Sequence, residues 1–235
     1  MPDKNIIITG ASKGIGKAIA MAFAAEGAHL FLCSRNEAAL LDTAAELKSM
    51  YPKCIVKTKA ADLSVKEEAI DFGKWCLEFG TPEILINNAG SFLPGILYNE
   101  KDGLLEKMIE TNLYSAYHVT RTVISQMMAE KKGHVFNICS IASQHAYPNG
   151  GSYGISKFAL MGFSKNLREE LKPHHIKVTA VYPGAVLTDS WGNYDNSTKR
   201  IMEAKDIADM IVAASKLSPQ AVVEDIILRP QLGDL

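Results

Sequence analysis

Along the whole chain, short runs rich in β-branched residues alternate with longer stretches in which apolar residues recur at helical spacing. The runs "NIIIT" (5–9), "HLFLC" (29–33), "CIVKT" (54–58), "EILIN" (83–87), "HVFNIC" (134–139), "KVTAVY" (177–182) and "DIILR" (225–229) predict strands. Helical period predicts helices near 15–26, 37–49, 65–79, 103–131, 153–171 and 205–217. Several strands are apolar on both faces, the pattern of a parallel sheet covered by helices on each side. Alternation of this kind predicts a doubly wound α/β fold, a seven-stranded parallel sheet flanked by helices on both faces. No linker, low-complexity segment or repeat interrupts the series, so one domain is expected over 1–235.

Composition narrows the class without naming a function. Apolar residues make up 47% of the 235 and charged residues 22%, ordinary for a soluble globular protein. A net charge of -1 gives no electrostatic reason to expect a nucleic-acid or membrane partner. No apolar run approaches the roughly 18 residues needed to span a bilayer. "MPDKNIIITG" lacks a basic-then-apolar leader, so a cytoplasmic location is expected. Cys33, Cys54, Cys76 and Cys139 are scattered, with no C-x-x-C pair, and read as reduced thiols rather than metal ligands or disulfides. His174 and His175 are adjacent and point in different directions on a regular element, so no metal is expected.

"TGASKGIG" (9–16) directly follows the first predicted strand and opens the first helix. Gly10, Gly14 and Gly16 suit a tight turn, a close approach of backbone to a pyrophosphate, and close helix–strand packing. Free N–H groups at the helix N-terminus then receive the anion. Ser12, Lys13 and Ile15 lie in the same turn and complete a candidate dinucleotide site, making the domain a Rossmann fold that binds NAD(P). The second strand ends in "CSRN", with Ser34 and Arg35 and no carboxylate until Glu37. A carboxylate there would claim a ribose 2′-hydroxyl; an arginine, with Lys13 as a second cation, suits a 2′-phosphate and predicts NADP (NADPH).

"SYGISK" (152–157) puts Tyr153 four places before Lys157, on one face of a helix. Such a pair alone is unremarkable. With "TGASKGIG", "NNAG" (87–90), Ser140, "YGISK" (153–157) and "PGAVLT" (183–188) in this order, the chain resembles the short-chain dehydrogenase/reductase family over essentially its whole length. The resemblance implies four catalytic positions: Asn112 in "ETNLYS", Ser140 thirteen places before the tyrosine, Tyr153 and Lys157. It also implies that Asn87, Ala89 and Gly90 border the adenosine half and steady the sheet. Asp62 and Leu63 would meet the adenine, and Pro183, Gly184, Val186 and Thr188 would flank the nicotinamide.

On that reading Tyr153 gives a proton to a developing alkoxide, and Ser140 hydrogen-bonds the substrate oxygen. Lys157 would draw the phenol toward neutrality and hold the nicotinamide ribose, while Asn112 would keep a water that resupplies protons. The expected activity is NADP(H)-dependent interconversion of a small-molecule ketone or aldehyde and its alcohol. A 3-oxoacyl-carrier-protein reductase is an alternative, although "EDIILRPQLGDL" lacks the Asp-Gly-Gly turn in which many of those end. "PGAVLTDSW" and "ILRP" look more like the sepiapterin-reductase-like and 3-hydroxyacid-dehydrogenase-like branches. A non-catalytic dinucleotide-sensing regulator is the alternative from another class. Residues from about 185 to 204 are the expected substrate lid, with Trp191 and Tyr194 on it. Phe158, Leu160, Met161, Phe163 and Leu167 spread around one helix and predict a homodimer or homotetramer using that helix and the one near 103–131.

Overall fold

The computed structural model describes residues 3–234. Among them, seven strands form one all-parallel sheet: β1 (Asn5–Thr9), β2 (His29–Ser34), β3 (Val56–Ala60), β4 (Ile84–Asn87), β5 (Gly133–Ile138), β6 (Ile176–Pro183) and β7 (Asp225–Leu228). Their order is β3-β2-β1-β4-β5-β6-β7, so the winding reverses between β1 and β4. Ligands of such sheets bind where this reversal opens a crevice at the strand C-termini. Here that place is bounded by Thr9 and Asn87.

Strands apolar on both faces bury both faces. Ile6, Ile8, Leu30, Leu32, Ile84 and Ile86 enter one core with α1 (Gly14–Ala25), α2 (Glu37–Met50) and α7 (Ala204–Ser215). Ile7, Phe31, Cys33, Leu85 and Val135 enter the other, against α3 (Lys66–Leu77), α5 (Ser115–Glu130) and α6 (Gly151–Leu171). A fully buried aliphatic side chain contributes about 1.5–3 kcal/mol, so these alternating rows carry much of the driving force for the fold.

Three expectations are adjusted. The third strand begins at Val56 rather than Cys54, because its register with β2 pairs Leu30 with Val56 while the Cys54 thiol turns to the Ala28 carbonyl at 2.8 Å. The single helix expected over 103–131 is interrupted: α4 (Leu104–Ile109) passes through a π-helical turn at Glu110–Tyr114 before α5 begins. Asn112 stands in that wide turn, held by tertiary hydrogen bonds that no local propensity encodes. Of the apolar residues on α6, Leu160, Met161, Phe163 and Leu167 pack inward, and Phe158 stays exposed beside Ile155.

Candidate active site

The glycine turn is shaped by close approaches. Gly10 and Gly14 have φ of +65° and +54°, and a Cβ on Gly16 would lie 2.2 Å from the Gly10 carbonyl oxygen. Asn88, which the sequence reading passed over, donates to the carbonyls of Thr9 (2.9 Å) and Gly10 (3.0 Å) and so ties the turn to the end of β4. Thr43 of α2 donates to the Ser12 carbonyl at 3.0 Å, and Ile15 packs against the core. The N-terminus of α1 has no side-chain cap and no acidic residue in its first turn. Its N–H groups are thus left for an external anion, and the turn fits a dinucleotide diphosphate on its own geometry.

Around the adenosine end, Ser34 is buried and its hydroxyl donates to the Asn36 carbonyl (3.0 Å), while Arg35 is exposed and pairs with no other described residue. Lys13 turns to Asp189, with Nζ 2.8 Å from Oδ2, so one of the two expected phosphate cations already has a carboxylate partner. Asp62 closes a local turn, its Oδ1 accepting from the Ser64 N–H (3.0 Å) and hydroxyl (2.7 Å), and Leu63 is buried. Asn87 lies inside the sheet, donating to Thr120 (2.9 Å) and to Asn137 (2.8 Å), which in turn donates to Ser164 (2.8 Å). This chain of side-chain hydrogen bonds links β4, β5, α5 and α6 at the centre of the sheet. Ala89 donates its N–H to the Thr9 hydroxyl (2.9 Å), and a Cβ on Gly90 would stand 3.0 Å from Asn112 Oδ1 and 3.7 Å from Lys157 Nζ.

On the far side of the crevice, Pro183 ends β6 and the Gly184 N–H donates to the Leu228 carbonyl at 2.8 Å. Val186 bridges to Met202, pinning both ends of the expected lid. Between the pins, Thr188 packs close to Gly14, and the Trp191 and Tyr194 rings meet at 5.3 Å.

Tyr153, Lys157 and Ser140 converge at the C-terminal end of β5. Lys157 is almost fully buried, its ammonium donates to the Ile138 carbonyl at 2.9 Å, and burial lowers its pKa to about 8. Burial pushes the Tyr153 phenol up to about 12, against which the neighbouring Ser140 hydroxyl acts weakly. The lowering expected from Lys157 is not seen: the ammonium lies 5.9 Å from the centre of the tyrosine ring, anchored on Ile138. Ser140 also caps the short turn Ile141–Ser143, its Oγ accepting from the Ala142 N–H (3.1 Å). Asn112 accepts from the Ser91 N–H (2.8 Å) and donates to the Ser91 carbonyl (3.1 Å) and to Ser156 (2.8 Å), whose hydroxyl donates to the Tyr153 carbonyl (2.7 Å). Its side chain braces α6 and the loop after β4. Phe92, also absent from the sequence reading, stands edge-on to Tyr153 with ring centres 4.8 Å apart.

Residues 4–199 match the profile of the short chain dehydrogenase family, and the chain belongs to that family. It is similar to the sepiapterin reductase of Chlorobaculum tepidum, 33% identical with 98% of this chain and 97% of the relative covered. Among solved structures it resembles an alcohol dehydrogenase from the archaeon Thermococcus sibiricus complexed with 5-hydroxy-NADP. That likeness has a TM-score of 0.90 at 28% identity, with 97% of each chain covered. It also resembles the L-sorbose reductase of Gluconobacter frateurii complexed with NADPH and L-sorbose, with a TM-score of 0.89 at 26% identity, covering 97% of this chain and 95% of the other.

Proposed function

We propose that the protein is an NADP(H)-dependent carbonyl reductase in which Tyr153 is the proton donor. The observation that carries this reading is the convergence of a buried lysine, a phenol and a serine hydroxyl at the strand ends beside an uncapped glycine-turned helix. The glycine turn, Arg35 and Lys157 would hold the dinucleotide. When bound, it supplies the hydride. The rest falls to the chain. Ser140 donates to the carbonyl oxygen and favours the charge developing there. Tyr153 passes its phenolic proton to that oxygen as the C–O bond becomes single, with the Lys157 ammonium 5.9 Å from the ring as the nearby positive charge.

NADP is supported by the exposed, unpaired Arg35 and by two structural relatives described as complexes with NADPH or an NADP derivative. A small polar carbonyl compound is supported by the likeness to the sepiapterin and sorbose reductases. The test is Tyr153→Phe, which removes only the acidic hydroxyl. NADPH-driven reduction across a carbonyl panel is expected to fall at least about a hundredfold while NADPH affinity is kept. Near-normal turnover by the variant would overturn the assignment.

A further inference from the structure

The helix that carries Tyr153 and Lys157 begins without a cap of its own. Its N-cap position is Gly150, in helical conformation, and no acidic residue occupies its first turn. The missing partner arrives from fifty-two residues away. Glu100, in the loop between β4 and α4, accepts the Ser152 backbone N–H on Oε1 at 2.9 Å and the Ser152 hydroxyl on Oε2. Ser152 is buried and immediately precedes Tyr153. Two glycines make room for the carboxylate: a Cβ on Gly151 would stand 1.9 Å from Glu100 Oε1, and one on Gly95 would stand 2.5 Å from it. No cation among the described residues pairs with Glu100, so the positive end of α6 receives its charge.

The same loop is fastened at a second point, where the Gly95 N–H donates to the Asn149 carbonyl at 3.0 Å. Three residues before Gly95, Phe92 stands against the Tyr153 ring. One carboxylate thus ties the first turn of the catalytic helix to the loop that walls the tyrosine.

We propose that Glu100 is a positioning residue for Tyr153, capping the catalytic helix from across the site and setting the phenol against Ser140. This rests on the catalytic reading above. Misplacement of a reacting group by about 1 Å can cost on the order of a hundredfold in rate, far more than the cap contributes to stability.

The experiment compares the parent, Glu100→Ala and Glu100→Gln for kcat, KM and NADPH affinity, and for amide hydrogen exchange along α6. Glu100→Gln keeps the shape and one acceptor, and covers the case in which the alanine variant does not fold. Expected for alanine is a fall in kcat of roughly ten- to a hundredfold at unchanged NADPH affinity, with faster exchange confined to the first turn. Glutamine is expected to recover most of that loss. Unchanged kcat in both variants, even with lowered stability, would make Glu100 only a structural cap and overturn the proposal. If turnover proves independent of Tyr153, the catalytic reading fails by itself. Exchange at Ser152 and Tyr153 then still decides, since unaltered protection would show that Glu100 does not order this turn.

Discussion

On the proposed reading, Arg35 is the residue on which cofactor choice turns. Its planar fork of donors suits phosphate oxygens, and no other described residue competes for it. Ser34 neither repels a phosphate nor claims a ribose hydroxyl, because its own hydroxyl is spent on the Asn36 carbonyl. Lys13 contributes less than its charge suggests, since Asp189 must release it first. A charge-assisted hydrogen bond contributes about 1.5–3 kcal/mol, so Arg35 alone sets a preference on the order of ten- to a hundredfold. Ser34→Asp with Arg35→Ala is therefore expected to invert the ratio of kcat/KM for NADPH over NADH, by repulsion as well as lost attraction. An unchanged ratio would remove Arg35 from that role. The position of both residues, at the end of the second strand, was legible in the sequence, because that strand can be placed from local spacing alone. The pairing of Lys13 was not, since Asp189 lies far along the chain and only tertiary folding brings it near.

At the scale of elements, the segment between the Val186–Met202 bridge points is a loop with fixed ends and a tip that carries Trp191 against Tyr194. Thr188, at the base of the tip, rests on Gly14 of the glycine turn, which places the base of the segment beside the crevice. On the proposed reading, the two rings would exclude water from the reacting atoms. Trp191→Ala is expected to raise KM or lower kcat without changing the melting temperature. Kinetics that match the parent across several carbonyls would exclude a lid role. The π-helical turn between α4 and α5 belongs to this scale too. Helical periodicity ran straight through it, since Asn112 fits a helix as well as its neighbours do. The wide turn is set by partners on Ser91 and Ser156, which a local pattern does not contain.

The whole molecule leaves an apolar surface beside α6. Ile155 and Phe158 are each 40% exposed and adjoin a cavity of about 480 Å³ also lined by Ile96, Leu97, Tyr98 and Tyr147. An apolar patch of this kind on α6 favours a symmetric assembly. Light scattering at micromolar concentration is expected to give a dimer or tetramer, and a 25.6 kDa monomer would refute it. Acid stability is a second property of the whole. His134 lies in the sheet, stacked on Phe136 at 3.9 Å with Nε2 2.7 Å from the Thr179 hydroxyl, and burial lowers its pKa from 6.5 to about 3. The unfolded chain takes up this proton near 6.5 and the folded chain only near 3, so stability falls as pH drops through that window. Between about pH 7.5 and pH 5.5, His134 alone is expected to lower the unfolding free energy by about 1.4 kcal/mol. Denaturant titrations at both pH values check this, and His134→Gln should remove most of the difference.

The chain's own pattern determined the strand sequence, the helix faces and the glycine turn, and it set the order of the proposed catalytic positions, because each depends on spacing within a short stretch. Strands apolar on both faces demand helices on both sides, and a glycine turn between strand and helix demands an anion. The tertiary structure alone decided which charges meet. It anchored Lys157 on Ile138 and let burial, not the lysine, govern Tyr153. It also paired Lys13 with Asp189 and brought Glu100 to the start of α6. Desolvation and long-range hydrogen bonds depend on what surrounds a group in space, and residues fifty apart in sequence carry no mark of one another until the sheet has closed.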